Sequence, residues 1–195
     1  MPRKQDPDLE ERILKAAHKL WRRGGDKALT LRAVAKAART NTPAVYRRFK
    51  DRHALLKGLL LRIVERLRSV FEAGNTVEGI LNTYVDFALA EPHEYELFYT
   101  YAYEMTPRKG PGAPRPIREG RPNFGLLEQR LAERLGGAPE DHTRLTMALW
   151  AVAHGTTTLL LSKSIPEGHE EEMRSAANAA VAALLKCAAV FSEKK

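Results

Sequence analysis

Between Thr30 and Phe49 the chain reads TLRAVAKAARTNTPAVYRRF, and its polar residues are of types that can hold a polyanion. Arg47 and Arg48 can pair with phosphates or donate two hydrogen bonds to a guanine edge. Thr40, Thr42 and Ala44 are short, so a backbone carrying them can come close to a duplex. Thr30, Asn41 and Pro43 are helix-start residues, and a helix start places a partial positive charge toward phosphate. Lys50 and Arg52 extend the cationic run, with Arg52 opening the next helix as a natural phosphate clamp.

Positioning these groups requires two short helices joined by a tight turn and braced by a third. Leu9, Ile13, Ala16, Ala17, Leu20 and Trp21 recur at helical spacing, which predicts a first helix. Asp8 and Glu11 fit a capping box, and Gly24 and Gly25 a stop. Thr30 then caps a second helix, with Leu29 and Val34 as a hydrophobic staple. Leu31, Val34, Ala35 and Ala38 face inward, and Ala35, Ala37 and Ala38 allow close helix packing. After a turn at Arg39 and Thr40, Asn41 caps a third helix with Pro43 in its first turn and Val45 and Phe49 buried.

The rest is helical by the same criterion. Asp51 caps a long fourth helix whose apolar face runs from Leu55 through Val64, Val70 and Phe71, ending at Gly74. Thr76 opens a helix with Ile80, Leu81, Tyr84, Val85 and Ala88 inside, closed by Pro92. An aromatic helix follows, and residues 106–122 read as a long Pro/Gly/Arg loop. Leu126, Leu127, Leu131 and Leu135 mark a shorter helix ending at Gly136. Two long helices, about 141–163 and 169–192, complete an all-α chain of about nine helices. The expected division is a helix-turn-helix domain over 1–54 and a second helical domain over 55–195.

Charge supports that division. The chain of 195 residues has a net charge of +8. Met1–Gly74 holds 19 Lys and Arg against 8 Asp and Glu, a local +11, while the remainder is −3. A basic segment concentrates polyanions, and nucleic acid is the usual one. No apolar run reaches the roughly 20 residues that span a bilayer, which leads us to expect a cytoplasmic protein without membrane partners. Cys187, alone, excludes an internal disulfide and reads as a buried thiol in an Ala/Leu helix. Catalytic signatures are missing: there is no Gly-rich phosphate loop, no metal-ligand spacing and no nucleophile elbow. No enzyme, metal site or cofactor is therefore expected.

These residues carry a resemblance. LTLRAVAKAA…NTPAVYRRFKDRHALL resembles the DNA-binding segment of the tetracycline-repressor (TetR) family of bacterial transcription regulators, through Val34-Ala35, Asn41, Val45-Tyr46, Phe49, Arg52 and Leu55. The resemblance implies that Tyr46 contacts phosphate and that Arg52 stands in for a lysine gripping the DNA backbone. Three positions depart from the family pattern. Arg39-Thr40 replaces the usual Gly-Val of the turn. Either Arg39 takes positive φ at a cost of roughly 1 kcal/mol, or the turn is reshaped and Arg39 becomes an extra phosphate contact. Arg48 replaces an aromatic residue, which alters the base-reading set.

ALWAVAHGTTTLLL is similar to a subgroup of that family marked by Trp-x-x-x-His-Gly, here Trp150, His154 and Gly155. Trp150 and His154 share a helix face, and Gly155 would let a neighbouring helix approach. His154 reads as a core histidine rather than a metal ligand. The resemblance implies a homodimer that binds a small-molecule inducer and a double-stranded operator, with repression as the default outcome. A stripe of Met173, Ala176, Ala177, Ala180, Val181, Leu184, Leu185 and Ala188 suits a dimer seam built from the two C-terminal helices. Candidate pocket residues are Tyr84, Phe87, Phe98, Tyr99, Tyr103, Phe124, Trp150 and His154, which suit a flat apolar ligand. The alternatives are a non-specific, nucleoid-type DNA coater and, less favoured, a helical enzyme.

Overall fold

The computed structural model describes residues 6–101 and 116–191. Among them are ten α-helices and two 3-10 turns, with no strand. Contacts divide the chain into two compact units. The first comprises 1–65 and 93–107, and the second 66–92 and 108–195. This partition differs from a single cut after residue 54, because the aromatic helix joins the first unit.

The first unit contains α1 (Leu9–Ala28), α2 (Leu31–Ala37), α3 (Thr42–Arg48), the start of α4 (Arg52–Ala73) and α6 (Pro92–Tyr101). Ile13, Ala17 and Trp21 of α1 meet a core of Val34, Val45, Leu55, Leu59, Ile63 and Leu97, all almost fully buried. Each large apolar side chain removed from water contributes roughly 1.5–3 kcal/mol. Gly24 and Gly25 break the helical path of α1, and a last turn follows the kink. Gly25 has φ +55, and a Cβ there would stand 3.0 Å from His93 Nδ1 of α6. Glycine is needed twice over at that point, for the backbone and for the close approach.

The expected start of α1 is corrected. Asp8 makes no capping bond. Asp6 Oδ1 instead accepts from the Asp8 amide at 3.0 Å. The overlooked signal is the Asp6-Pro7 pair, since aspartate before proline favours a local side-chain turn. Ala37 is exposed rather than packed, and so is Val70 at the far end of α4. Asp51 does cap α4, accepting from Ala54 N at 2.7 Å.

The second unit contains the end of α4, α5 (Val77–Ala90), α7 (Ile117–Gly120), α8 (Pro122–Leu135), α9 (Thr143–Leu161) and α10 (Glu170–Lys186). Thr76 caps α5 through Gly79 N at 3.0 Å. α9 is the central helix, packed on α5, α8 and α10. Leu145, Leu149 and Ala153 repeat every four residues along its buried face. α7 lies inside the segment expected to be loop, where a single turn forms after Pro116. Gly136 and Gly137, both left-handed, end α8, and Leu135 before them is exposed.

Of the α10 stripe expected to form a dimer seam, Val181 and Leu185 are buried and the other residues stay at least partly open within one chain. Two further expectations are corrected in this unit. Cys187 is exposed at the helix end. A Cβ on Gly155 would meet nothing within 4 Å, so no described segment uses that glycine for close approach. No described helix is long and apolar enough to cross a membrane.

Candidate nucleic-acid interface

The α2–turn–α3 hairpin is held by local hydrogen bonds that its sequence specifies. Thr30 Oγ1 accepts from Ala33 N at 3.1 Å and opens α2. At the other end Thr40 N donates to Ala35 O at 2.9 Å and Arg39 N to Lys36 O at 3.2 Å. That pair of bonds closes the helix in a Schellman turn. Arg39 occupies its left-handed position with φ 53. The glycine-free turn is thus not reshaped, and Arg39 carries the strain. Asn41 Oδ1 then accepts from Ala44 N at 2.9 Å and starts α3.

α3 has one buried side and one open side. Val45 is fully buried and Phe49 nearly so, which seats the helix against α2 and α4 and fixes its rotation. Tyr46 is 51 % exposed. Thr30, Arg39, Asn41, Pro43, Arg47 and Lys50 are exposed, while Thr40, Thr42 and Arg48 are half-buried. Ala44 is almost fully buried beside Val45, which leaves little of its methyl group open. Arg52 is engaged within the protein. Its guanidinium donates to Leu29 O at 3.2 Å and to Asp26 Oδ1 at 2.7 Å, so it locks the end of α1 to α4. Tyr101 Oη also donates to Asp26 Oδ1, at 2.9 Å. The Arg52 pair draws the Asp26 carboxyl below its ordinary range, with Tyr101 adding to the effect.

A cleft of about 1030 Å³ opens between the start of α1 and the turn before α3. Arg12, Arg39, Arg47 and Arg48 line it together with Asp6, Thr40 and Asn41. Arg12 was not foreseen as part of this surface. Its place follows from the start of α1 sharing this cleft with α3, which one-helix periodicity does not reveal.

Two family profiles match this chain. "Bacterial regulatory proteins, tetR family" matches residues 13–59, and "Tetracyclin repressor-like, C-terminal domain" matches 77–190. The chain belongs to the tetracycline-repressor family. It is therefore a DNA-binding, ligand-binding transcriptional regulator and not an enzyme. No curated protein matches by sequence. The fold is that of a Rhodococcus sp. RHA1 protein of unknown function, with 22% identity, coverage of 95% of this chain and 98% of that one, and a TM-score of 0.70. It is also that of a TetR-family transcriptional regulator from Streptomyces coelicolor, at 22% identity, 91% and 98% coverage and TM-score 0.59. A TetR variant from Acinetobacter baumannii AYE in complex with minocycline is 16% identical, with 97% and 100% coverage and TM-score 0.62.

The C-terminal family profile spans residues 77–190, and the aromatic candidates within it are divided between the two units. Tyr84, Phe87, Phe124, Trp150 and His154 belong to the second unit, whereas Phe98 and Tyr99 sit on α6 in the first. Tyr103 lies outside the described residues. Phe124 and Trp150 meet edge to face, with ring centroids 6.2 Å apart. His154 lies 6.4 Å from Trp150, and the Arg121 guanidinium covers the same indole at 5.1 Å. Burial pushes the His154 imidazole below its ordinary pKa, and the Arg121 charge pushes it the same way. His154 is thus held toward its neutral form, able both to donate and to accept a hydrogen bond. Nearby, buried Glu128 accepts from Thr143 Oγ1 at 2.5 Å and pairs with Arg118 Nε at 3.1 Å, tying α7, α8 and α9 together.

Proposed function

We propose that this TetR-family regulator is a repressor that binds a near-palindromic operator as a homodimer and leaves it when a small, largely apolar inducer binds. The observation that carries the reading is the exposed Tyr46–Arg47 edge of the Asn41-capped α3, on a module with local charge +11. Thr30, Arg39, Thr40, Asn41, Thr42, Pro43, Arg48 and Lys50 surround that edge as further DNA contacts. Two such helices in a dimer would enter successive major grooves about 34–36 Å apart. Dimerisation through α9 and α10 is supported by apolar side chains left open there, among them Met147 and Leu159. The inducer would meet Phe124, Trp150 and His154. α4 runs unbroken through the boundary between the units, so it is the element that can carry a ligand-dependent repacking to the DNA-binding module. A coupling of about 1–3 kcal/mol would change operator affinity roughly 5- to 150-fold.

The test begins with duplexes selected from a random pool by the full-length protein. Tyr46→Ala and Arg47→Ala should each weaken binding to the selected duplex in fluorescence anisotropy. Unchanged affinity in both variants removes α3 from the interface. A selected pool without paired half-sites, competed equally by random duplex, would favour a non-specific coater over an operator-binding repressor.

A further inference from the structure

Asp6 makes two unlike contacts with arginines that line the cationic cleft. Its carboxylate Oδ2 takes Arg12 Nη1 at 2.5 Å, while its backbone carbonyl accepts from Arg48 Nη2 at 3.1 Å. Arg12 and Arg48 come from helices 36 positions apart in sequence, and Asp6 is what joins them. The cleft lining holds four guanidinium groups and one carboxylate, so Asp6 is the sole acid there among the described residues. The arrangement has the chemistry of a phosphodiester site: guanidinium donors converge on two oxygens, one of them anionic. Hydrogen bonding to Arg12 keeps the Asp6 carboxyl below its ordinary pKa, so it stays ionised well into acid.

Resting on the reading of this module as duplex-binding, we propose that Arg12 and Arg48 form a phosphate-backbone subsite and that Asp6 occupies it in the free protein as an intramolecular substitute for phosphate. Binding a duplex then exchanges the Asp6 contacts for a phosphodiester. Affinity for any duplex is lowered because the phosphate at this subsite must displace Asp6, whereas base contacts from the other α3 residues are unaffected. The device scales down operator and random duplex alike, so only duplexes whose base contacts make up the difference stay bound. Asp6 also supports the first turn of α1 through the Asp8 amide, at 3.0 Å. Asparagine keeps that acceptor and removes only the charge.

The experiment uses full-length protein and a fluorescein-labelled 30-base-pair duplex of random sequence (a length chosen to be about three helical turns), titrated by anisotropy across a salt series. Asp6→Asn should tighten binding roughly two- to fivefold, the range set by release of one exposed ion pair. Its slope of log K against log salt should steepen by up to about 0.9, one added phosphate contact. Glu10→Gln removes the same charge from an exposed position of α1 and should give a smaller gain with the slope unchanged. Arg12→Gln should weaken binding and flatten the slope, and on that background Asp6→Asn should gain no more than Glu10→Gln does. Equal gains from Asp6→Asn and Glu10→Gln, a gain that survives Arg12→Gln, or Arg12→Gln binding like wild type would each overturn the proposal. Wild-type protein that binds no duplex at all overturns the DNA-binding reading, and this inference with it. Normal wild-type binding without the Asp6 effects overturns the inference alone.

Discussion

His18 Nε2 lies 2.6 Å from Glu94 Oε1, joining α1 to α6 across 76 positions of sequence. Glu94 is wholly buried, and Arg22 Nε stands 3.5 Å from the same oxygen. Trp21 reinforces the junction by donating to His93 O at 2.5 Å. Removing the nearest partner of a buried carboxylate exposes its desolvation cost. His18→Ala should therefore destabilise the protein by about 2–3 kcal/mol, whereas Glu94→Gln, which removes the buried charge itself, should cost less. Urea denaturation of both variants checks the order. A larger loss for Glu94→Gln would contradict it.

Asp26 is one acid-sensitive element of the first unit. Its carboxyl is drawn below the ordinary value of 3.8, first by Arg52 and then by Tyr101. A carboxyl depressed in the fold stabilises it at every pH above that ordinary value, and the gain disappears as pH falls through the folded value. Asp26→Asn should therefore melt below wild type at neutral pH. The gap should close in acid, below the ordinary aspartate range. Because the pair is partly exposed, the neutral-pH gap should be no more than about 1 kcal/mol and should narrow in high salt.

Arg39 holds φ 53 at the position where a Schellman turn prefers glycine. Arg39→Gly should stabilise the protein by roughly 1 kcal/mol, which raises Tm by about 2–4 °C in a chain of this size. The same change removes an exposed cation from the proposed interface, so duplex affinity should fall while stability rises. Thermal melts and anisotropy on one preparation would separate the two effects. A variant that melts lower than wild type would refute the strain account.

His154 gives the second unit its own pH response, of opposite chemical type. Burial, then Arg121, hold the imidazole below its ordinary 6.5. The folded state thus favours the neutral ring. The stability associated with it is complete above that ordinary value and declines as pH falls from 6.5 toward the folded pKa. His154→Gln should lose less stability than wild type between about pH 7 and pH 5, and should show no such difference in slope between about pH 7.5 and pH 8.5. Parallel melting curves throughout would rule out His154 as the titrating group.

The sequence alone determined what depends on neighbours a few positions apart. Thr30, Asn41, Asp51 and Thr76 cap their helices because a short oxygen-bearing side chain can reach an amide two or three residues ahead. Val45 and Phe49 were legible as the seated side of α3 from their spacing, and the motif around them pointed to the TetR family. Tertiary packing decided the rest. Ala44 looked outward by helical phase but is almost fully buried once the hairpin is packed. Arg52 looked like a free cation until the fold brought Asp26 and the Leu29 carbonyl to its guanidinium. Glu94 drew no reading from its spacing, and only the approach of α1 gives it a reason to be buried. Phe98 and Tyr99 share an aromatic composition with Trp150 but not a unit. Capping and periodicity are local and survive in one dimension; which cation meets which anion is set by contacts between residues distant in the chain, and no spacing records those.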